Sequence, residues 1–169
     1  MTEIQEGGLK FSFPSHCQAT KYDEWEFYRE RFQSVAGGSK AVDILCVAQD
    51  VSWLIEIKDY RQNQRSKPSD VGDELVSKVR DTLAGLAAAN ANATNQGERA
   101  FAEKALAKRR WRVALHLEQQ AVAPSPLRPQ AISAANVLKK LRMNLKAIDA
   151  QPIVVSMQRP DPGTPWTVQ

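Results

Sequence analysis

The sequence predicts an α/β fold with a mixed central β-sheet flanked by helices. Two apolar segments rich in Val, Ile, Leu and Trp lie on either side of Gln49-Asp50, which predicts an antiparallel hairpin within residues 41–61. Apolar residues recur at helical spacing both before and after this hairpin. A further strand, helix and strand are predicted towards the C-terminus. Strands and helices in this order are typical of an open sheet covered by helices.

Length and composition indicate one folded domain. The 169 residues are 43% apolar and 25% charged, as in ordinary globular proteins large enough to form a sizeable core. We expect a single domain over residues 1–169. Its core lies at about residues 20–118, and a C-terminal helix and strands occupy residues 130–169.

The sequence also predicts a cytoplasmic protein with no membrane partner. No apolar run reaches the roughly 20 residues that a membrane-spanning helix needs, and the first ten residues lack the layout of a signal peptide. Cys46 lies within an apolar strand, which suits a buried thiol in a reducing compartment. The net charge of +4 is compatible with a polyanionic partner but does not require one.

One strand and one helix are predicted before the hairpin. Residues 9–14 alternate between apolar and polar and end at Pro14, as a short strand does, and residues 15–20 form a connector. Residues 22–35 form a helix that ends before Gly37-Gly38. Its apolar positions at helical spacing are Trp25, Tyr28, Phe32 and Val35.

The elements after the hairpin alternate between helices and strands. Residues 62–69 form a polar loop, and residues 70–90 form a helix capped by Ser69 or Asp70. A polar linker and a second helix at residues 98–110 follow. The remaining elements are a strand at 111–118, a proline-containing loop at 121–130, a helix at 132–149 and a strand at 152–157.

Three charged residues of the hairpin are candidate functional residues. Side chains of like parity share one face of a strand, so Glu56 and Lys58 point the same way, about 7 Å apart. A hairpin about Gln49-Asp50 brings Asp43 across from them. Charges in apolar strands are costly to bury, so they need a partner, a metal or a cleft. Two carboxylates and one ammonium on a single face suit metal-assisted phosphodiester chemistry.

This arrangement of Asp43, twelve further residues and then Glu56-Ile57-Lys58 resembles the PD-(D/E)xK nuclease superfamily, which includes restriction-endonuclease-like and Holliday-resolvase-like enzymes. Val42 stands where the family motif has a proline. The resemblance covers roughly residues 20–90 and implies a restriction-endonuclease-like sheet. It also implies a catalytic site built from Asp43, Glu56 and Lys58.

The resemblance further implies a divalent cation, Mg²⁺ with Mn²⁺ as a substitute. Asp43, Glu56 and the main-chain carbonyl of Ile57 would be its ligands. Lys58 would position the attacking water or stabilise charge at the phosphate.

A glutamate on the first helix often completes the metal site in this family. We expect Glu24 in that role, because it is in register with the apolar positions that face the sheet. Asp23 and Glu26 are alternatives. Acidic residues in the first turn of a helix can equally be exposed to solvent, where they interact favourably with the helix dipole.

Several cations are candidates for contacts with nucleic acid. Arg61, Arg65 and Lys67 lie in and next to the loop after the hairpin, where they either hold phosphate or form an ordinary solvated loop. Lys78 lies on the following helix, where members of the family place a polar residue near the site. The alternative for Lys78 is an i,i+4 ion pair with Glu74 on a solvated face.

The histidines are weaker candidates. His116 lies on the polar side of its predicted strand and could act as a general base, although a lone histidine is more often structural. His16 and Cys17 are adjacent, and two neighbouring ligands without a second pair make a poor zinc site.

The sequence therefore predicts an enzyme, a Mg²⁺-dependent endonuclease that hydrolyses phosphodiester bonds in DNA. One alternative is a catalytically silent module with the nuclease fold that binds nucleic acid or a protein partner within a defence or repair complex. The other is an unrelated α/β protein whose Glu56 and Lys58 pair with other charges. A homodimer or a larger protein complex is also predicted.

Overall fold

The computed structural model describes residues 1–62, 69–120 and 131–169. Eleven strands and α-helices are described in this part of the chain, and short helical turns separate β3 from β4. In chain order they are β1 (Thr2–Glu6), β2 (Leu9–Phe13), β3 (Cys17–Lys21), β4 (Ile44–Ala48), β5 (Val51–Tyr60), α1 (Val71–Asn92), α2 (Gln96–Leu106), β6 (Arg110–Gln119), α3 (Ala134–Leu145), β7 (Ile153–Val155) and β8 (Thr167–Val168).

The central sheet has five strands in the order β3-β4-β5-β6-β7. The pairs β3/β4 and β4/β5 are antiparallel, whereas β5/β6 and β6/β7 are parallel. The predicted hairpin is confirmed: Ala48 pairs with Val51 across the turn, and Gln49 adopts a φ of 49°. The α/β fold with a mixed sheet flanked by helices is therefore confirmed.

The two faces of the central sheet are covered by different structures. Leu54 of β5 packs in a core with α1, α2 and α3. Its neighbours Trp53 and Ile55 pack on the opposite face, against a small antiparallel sheet of order β1-β2-β8. Because side chains alternate along a strand, β5 contributes to both cores, and its even-numbered residues face the helices.

The predicted helix at residues 22–35 is wrong. The structure has three short turns instead, at Tyr22–Glu24, Tyr28–Phe32 and Val35–Gly37. The backbone is extended at Trp25, where ψ is 136°, so a continuous helix cannot pass through it. The apolar side chains of the segment are nevertheless mostly buried, because successive turns direct them into the same core.

The connector predicted at residues 15–20 is also wrong, because β3 occupies most of it. β3 pairs with β4 from Cys17↔Ala48 to Lys21↔Ile44 and forms one edge of the sheet. Strands β1 and β8 were not predicted either. Both are short, and neither has more than one buried residue.

The helices begin at capping residues. Asp70 accepts hydrogen bonds from the backbone N–H groups of Gly72 and Asp73 at the start of α1, which confirms one of the two predicted caps. Asn95 and Ser133 cap α2 and α3 in the same way. No helix in the described part of the chain is long and apolar enough to cross a membrane.

One close approach between α1 and the segment before β4 can be tested. A Cβ atom at Gly85 would clash with the Tyr22 hydroxyl and lie 3.1 Å from a ring carbon of Phe32. That hydroxyl is buried and has no hydrogen-bond partner among the described residues. We expect Gly85→Ala to lower the free energy of unfolding by about 1–3 kcal/mol through overpacking, measured by chemical denaturation.

Tyr22→Phe supplies the control for this prediction. It removes the obstructing oxygen without breaking a described hydrogen bond, so Gly85→Ala should cost less in that background. An equal cost in both backgrounds would contradict the assigned contact.

Candidate functional site

The candidate site lies on the helix-covered face of the central sheet. Glu56 and Lys58 are on β5, in register with the buried Leu54, as the alternation of the strand predicts. Asp43 lies directly before β4, and its Oδ2 accepts a 2.7 Å hydrogen bond from the backbone N–H of Ile57. This bond fixes the Asp43 carboxylate beside β5.

Two lysines bind the same oxygen of Glu56. Glu56 Oε1 lies 2.8 Å from Lys58 Nζ and 2.7 Å from Lys78 Nζ. Lys78 Nζ also lies 3.4 Å from Asp43 Oδ1, and Lys58 Nζ lies 3.0 Å from Glu74 Oε1. We call these five residues, Asp43, Glu56, Lys58, Glu74 and Lys78, the ion cluster.

The ion cluster is largely withdrawn from solvent. Glu56 is 0% exposed, and its second oxygen, Oε2, has no hydrogen-bond partner among the described residues. A buried carboxylate is tolerated only when cations or hydrogen bonds compensate for the lost hydration. Here the compensation comes from the two ammonium groups on Oε1, which leaves Oε2 as an unused acceptor.

Burial and charge shift the pKa values of the cluster. Burial raises the pKa of Glu56 to about 7, and the Asp43 carboxylate adds to the rise, while Lys78 and Lys58 oppose it. Burial also raises the pKa of Asp43, against the effect of Lys78. Burial alone would lower the pKa of Lys78, but Glu56 and Asp43 outweigh it and raise the pKa. The lysines are therefore held as cations, and Glu56 can exchange a proton near neutral pH.

A pocket of about 600 Å³ opens beside the ion cluster. It is bounded by the segment before β4, by β5 and by α1. Among the described residues, its lining carries four basic and three acidic side chains, so this part of the pocket is strongly polar and of mixed charge. The charged residues are Asp23, Arg29, Lys40, Asp43, Lys58, Glu74 and Lys78.

The structure brings together Asp43, Glu56, Lys58 and Lys78, but Glu24 lies elsewhere. The side chain of Glu24 is 50% exposed and forms an ion pair with Lys21, because it belongs to a short turn and not to a helix that faces the sheet. Asp23 lines the pocket instead. Its pKa is raised by burial and then by the charge of Asp43, so Asp23 is the acid of this turn that faces the site.

Sequence reasoning missed Glu74 as a member of the site. Glu74 entered the sequence analysis only as the i,i+4 partner of Lys78 in the alternative interpretation, on a solvated face of the helix. Both side chains instead turn towards β5, where Glu74 meets Lys58 and Lys78 meets Glu56. The sequence did contain a signal for this placement. Glu74 and Lys78 each precede a buried apolar residue of the helix, Leu75 and Val79, and such positions lie at the border of the buried face.

Of the other candidate residues, Arg61 and His116 lie outside the ion cluster. Arg61 is bound to Asp59, with 2.6 Å between Nη2 and Oδ2, whereas Arg65 and Lys67 fall outside the described residues. His116 lies on the opposite face of the sheet, with its ring edge-on to Phe11. Its Nε2 is 2.9 Å from Glu118 Oε1, so a general-base role at the ion cluster is excluded by position.

The donor set of the cluster does not fit a divalent cation as it is arranged. The oxygens that would hold Mg²⁺ face the ammonium groups of Lys58 and Lys78, and a dication there would have to displace at least one of them. In the described ranges no group of three or more His, Cys, Asp or Glu side chains could hold a metal ion. Binding of Mg²⁺ or Mn²⁺, and the ligand role of the Ile57 carbonyl, stay predictions.

Comparison with known proteins gives one informative similarity. No family model and no solved structure matches the chain. The chain is similar to a cysteine–tRNA ligase of Neisseria meningitidis serogroup A, with 32% identity over an alignment length of 209. The alignment covers 99% of this chain and 30% of the ligase, so the chain spans about a third of the length of that relative.

This similarity corrects the predicted function. A match over 99% of the chain to a tRNA ligase contradicts the prediction of a Mg²⁺-dependent DNA endonuclease, and the proposed defence or repair context falls with it. The comparison does not bear on the PD-(D/E)xK resemblance itself, which stays a prediction. The homodimer or larger complex also stays a prediction.

The raised pKa of Glu56 predicts how stability depends on pH. A carboxyl group whose pKa is higher in the folded state stabilises the protein below its unfolded pKa, and this contribution is lost as the pH rises through about 7. Between about pH 5 and pH 8, the wild type should lose on the order of 3 kcal/mol relative to Glu56→Gln. Urea denaturation at several pH values measures the difference.

Glu24→Gln is the matched control, since Glu24 is exposed and its Lys21 partner lowers its pKa. Its stability difference from the wild type should stay nearly constant over this pH range. A Glu56→Gln difference that is equally constant would show that Glu56 does not titrate there.

Proposed function

We propose that this chain is an RNA-binding module of the tRNA aminoacylation system, with a tRNA as its partner. The observation that supports this is the 32% identity to a cysteine–tRNA ligase along 99% of the chain. Similarity over that length concerns the whole domain and not an isolated motif. Because the chain spans 30% of the ligase, we assign it contact with the RNA and not the ligation reaction.

The charge of the molecule supports a polyanionic partner. The net charge is +4, but the lysines of the ion cluster do not contribute to binding phosphate, because carboxylates already surround them. Cations that bind RNA must be exposed and free of such partners. The surface of α3 meets this requirement.

Helix α3 has one apolar face and one basic face. Val137, Leu141 and Leu145 are buried. Lys139 and Arg142, and Lys146 at the C-cap of the helix, are exposed. These three cations follow an i, i+3, i+7 pattern over about 10 Å of helix. The helix contains no acidic residue, and the three cations form no ion pair within the described part of the chain. We name Lys139, Arg142 and Lys146 the basic face of α3.

The pocket beside the ion cluster adds a second group of cations. Arg29 and Lys40 line it and are exposed. Arg29 is held by a hydrogen bond from its Nε to the backbone carbonyl of Asp23, which orients its guanidinium group at the pocket. An RNA strand on the α3 side would meet one basic surface, and a strand at the pocket would meet mixed charge. The basic face of α3 is therefore the better surface for a phosphate backbone.

Binding of a tRNA to the purified chain tests the proposal directly. We expect a tRNA-Cys transcript to bind roughly tenfold more tightly than a DNA duplex with the same number of phosphates, because RNA presents 2′-hydroxyl groups and folded single strands. Fluorescence anisotropy at several salt concentrations measures both affinities. A tRNA that carries another amino acid, measured in parallel, shows whether the chain prefers the cysteine tRNA to other tRNAs. Equal affinity for RNA and DNA, or no binding of tRNA at low salt, would refute the proposal.

The basic face of α3 can be tested by neutral substitutions. The triple variant Lys139→Gln, Arg142→Gln, Lys146→Gln keeps helix-forming side chains and removes three charges. We expect weaker tRNA binding and a salt dependence whose slope falls by about one for each phosphate that the variant no longer neutralises. Circular dichroism checks that the helix remains.

A control variant removes the same charge from other elements. It carries the substitutions Lys10→Gln, Arg99→Gln and Lys104→Gln. Lys10 lies on β2, Arg99 and Lys104 lie on α2, and all three residues are exposed. This variant should retain most of the affinity. An equal loss of affinity in both triple variants would show a general effect of net charge and would remove α3 as the binding surface.

A further inference from the structure

We propose that Lys78 is the built-in cation of the candidate site: its ammonium group takes the position between Asp43 and Glu56 that a metal ion would require. Replacing Lys78 with a neutral side chain then converts the ion cluster into a binding site for a divalent cation. The inference concerns the ion cluster alone and is independent of RNA binding.

The geometry places one ammonium between two carboxylates. Lys78 Nζ is 2.7 Å from Glu56 Oε1 and 3.4 Å from Asp43 Oδ1. Both oxygens therefore converge on a single point, as the ligands of a small cation do. Asp43 is held in place by the N–H of Ile57, and Glu56 lies in the middle of β5, so neither acid depends on Lys78 for its backbone position.

The charge of the cluster explains why the lysine is required. Asp43, Glu56 and Glu74 supply three negative charges when ionised, and Lys58 and Lys78 supply two positive charges. Among the described residues, loss of Lys78 would leave Glu56 with Lys58 as its cation and Asp43 with no ion-pair partner. Such a site either takes up a proton or attracts another cation. The unpartnered Glu56 Oε2 offers that cation one more oxygen.

Lys78 cannot easily make room for a metal ion in the wild type. Its side chain is only 15% exposed, and it projects from α1 between the buried Leu75 and the fully buried Val79 and Leu86. The backbone of α1 is thus anchored on both sides of it. A dication and the ammonium would also repel each other within the same poorly hydrated space.

The experiment uses the full chain and Mn²⁺ as the probe. Thermal unfolding is followed for the wild type and for Lys78→Met, a neutral side chain of similar length, in EDTA and with increasing MnCl₂. The electron paramagnetic resonance signal of free Mn²⁺ measures binding independently. We expect Lys78→Met to be stabilised by several degrees and to bind about one Mn²⁺, because a ligand that binds only the folded state raises stability. The wild type should show little change.

Two further variants distinguish the cluster from other acids. Lys140→Met frees Asp70 and Asp73, which Lys140 binds at the exposed start of α1, and it should not gain comparable affinity for Mn²⁺. Glu56→Gln combined with Lys78→Met should abolish the gain, because one ligand is removed. If Lys78→Met is unfolded in EDTA, Mn²⁺ should restore its circular dichroism spectrum.

Two results would overturn the inference. Binding of Mn²⁺ by the wild type as tightly as by Lys78→Met would mean that the lysine does not exclude the cation. Failure of Lys78→Met to bind Mn²⁺, or to regain structure with it, would mean that the carboxylates do not form a cation site when Lys78 is absent.

Discussion

Burial of the Glu56 carboxylate is the constraint on which the arrangement of this molecule depends. β5 lies in the middle of the central sheet, with β4 and β6 as its neighbours, and the Glu56 carboxylate on its helix-covered face is fully buried. Its two cationic partners come from different elements, Lys58 from β5 itself and Lys78 from α1. Helix α1 must therefore dock with Lys78 above Glu56. Desolvation offsets most of the attraction within a buried ion pair, whereas removal of one partner leaves a buried charge without compensation.

The sequence contained enough information to predict the central hairpin and most of the site. Alternation along β5 correctly placed Glu56 and Lys58 on one face, and the two-residue turn correctly brought Asp43 beside them. The partner of each charge was not predictable, because it depends on how α1 packs. Glu74 and Lys78 are four residues apart, and this spacing fits a local ion pair as well as it fits two separate contacts with β5.

The errors in the fold have a similar origin. Aromatic residues between positions 22 and 35 recur at the spacing of a helix, but the extended backbone at Trp25 divides the segment into short turns. A contact from far along the chain supports this shape: the Glu98 carboxylate accepts hydrogen bonds from the backbone N–H groups of Glu26 and Phe27. Strand β3 has one buried residue, so its sequence shows no apolar alternation that would predict a strand. It is a strand because its backbone pairs with β4.

The position of the motif residues was predicted better than their chemistry. Three residues specify a local geometry, and that geometry is present in the structure. What a carboxylate pair does depends on what lies between its oxygens, and here that is an ammonium group. The similarity to a tRNA ligase covers the whole chain, so it bears on the function of the domain more directly than a motif of three residues.

The small sheet of β1, β2 and β8 joins the beginning and the end of the chain. β2 lies between β1 and β8, and Lys10 and Gln169 exchange two backbone hydrogen bonds, of 2.9 and 3.0 Å. Two strand spacings of about 4.8 Å each therefore separate the entry strand from the exit strand. A polypeptide that enters and leaves at neighbouring points can be spliced into a surface loop of a host protein without stretching either junction.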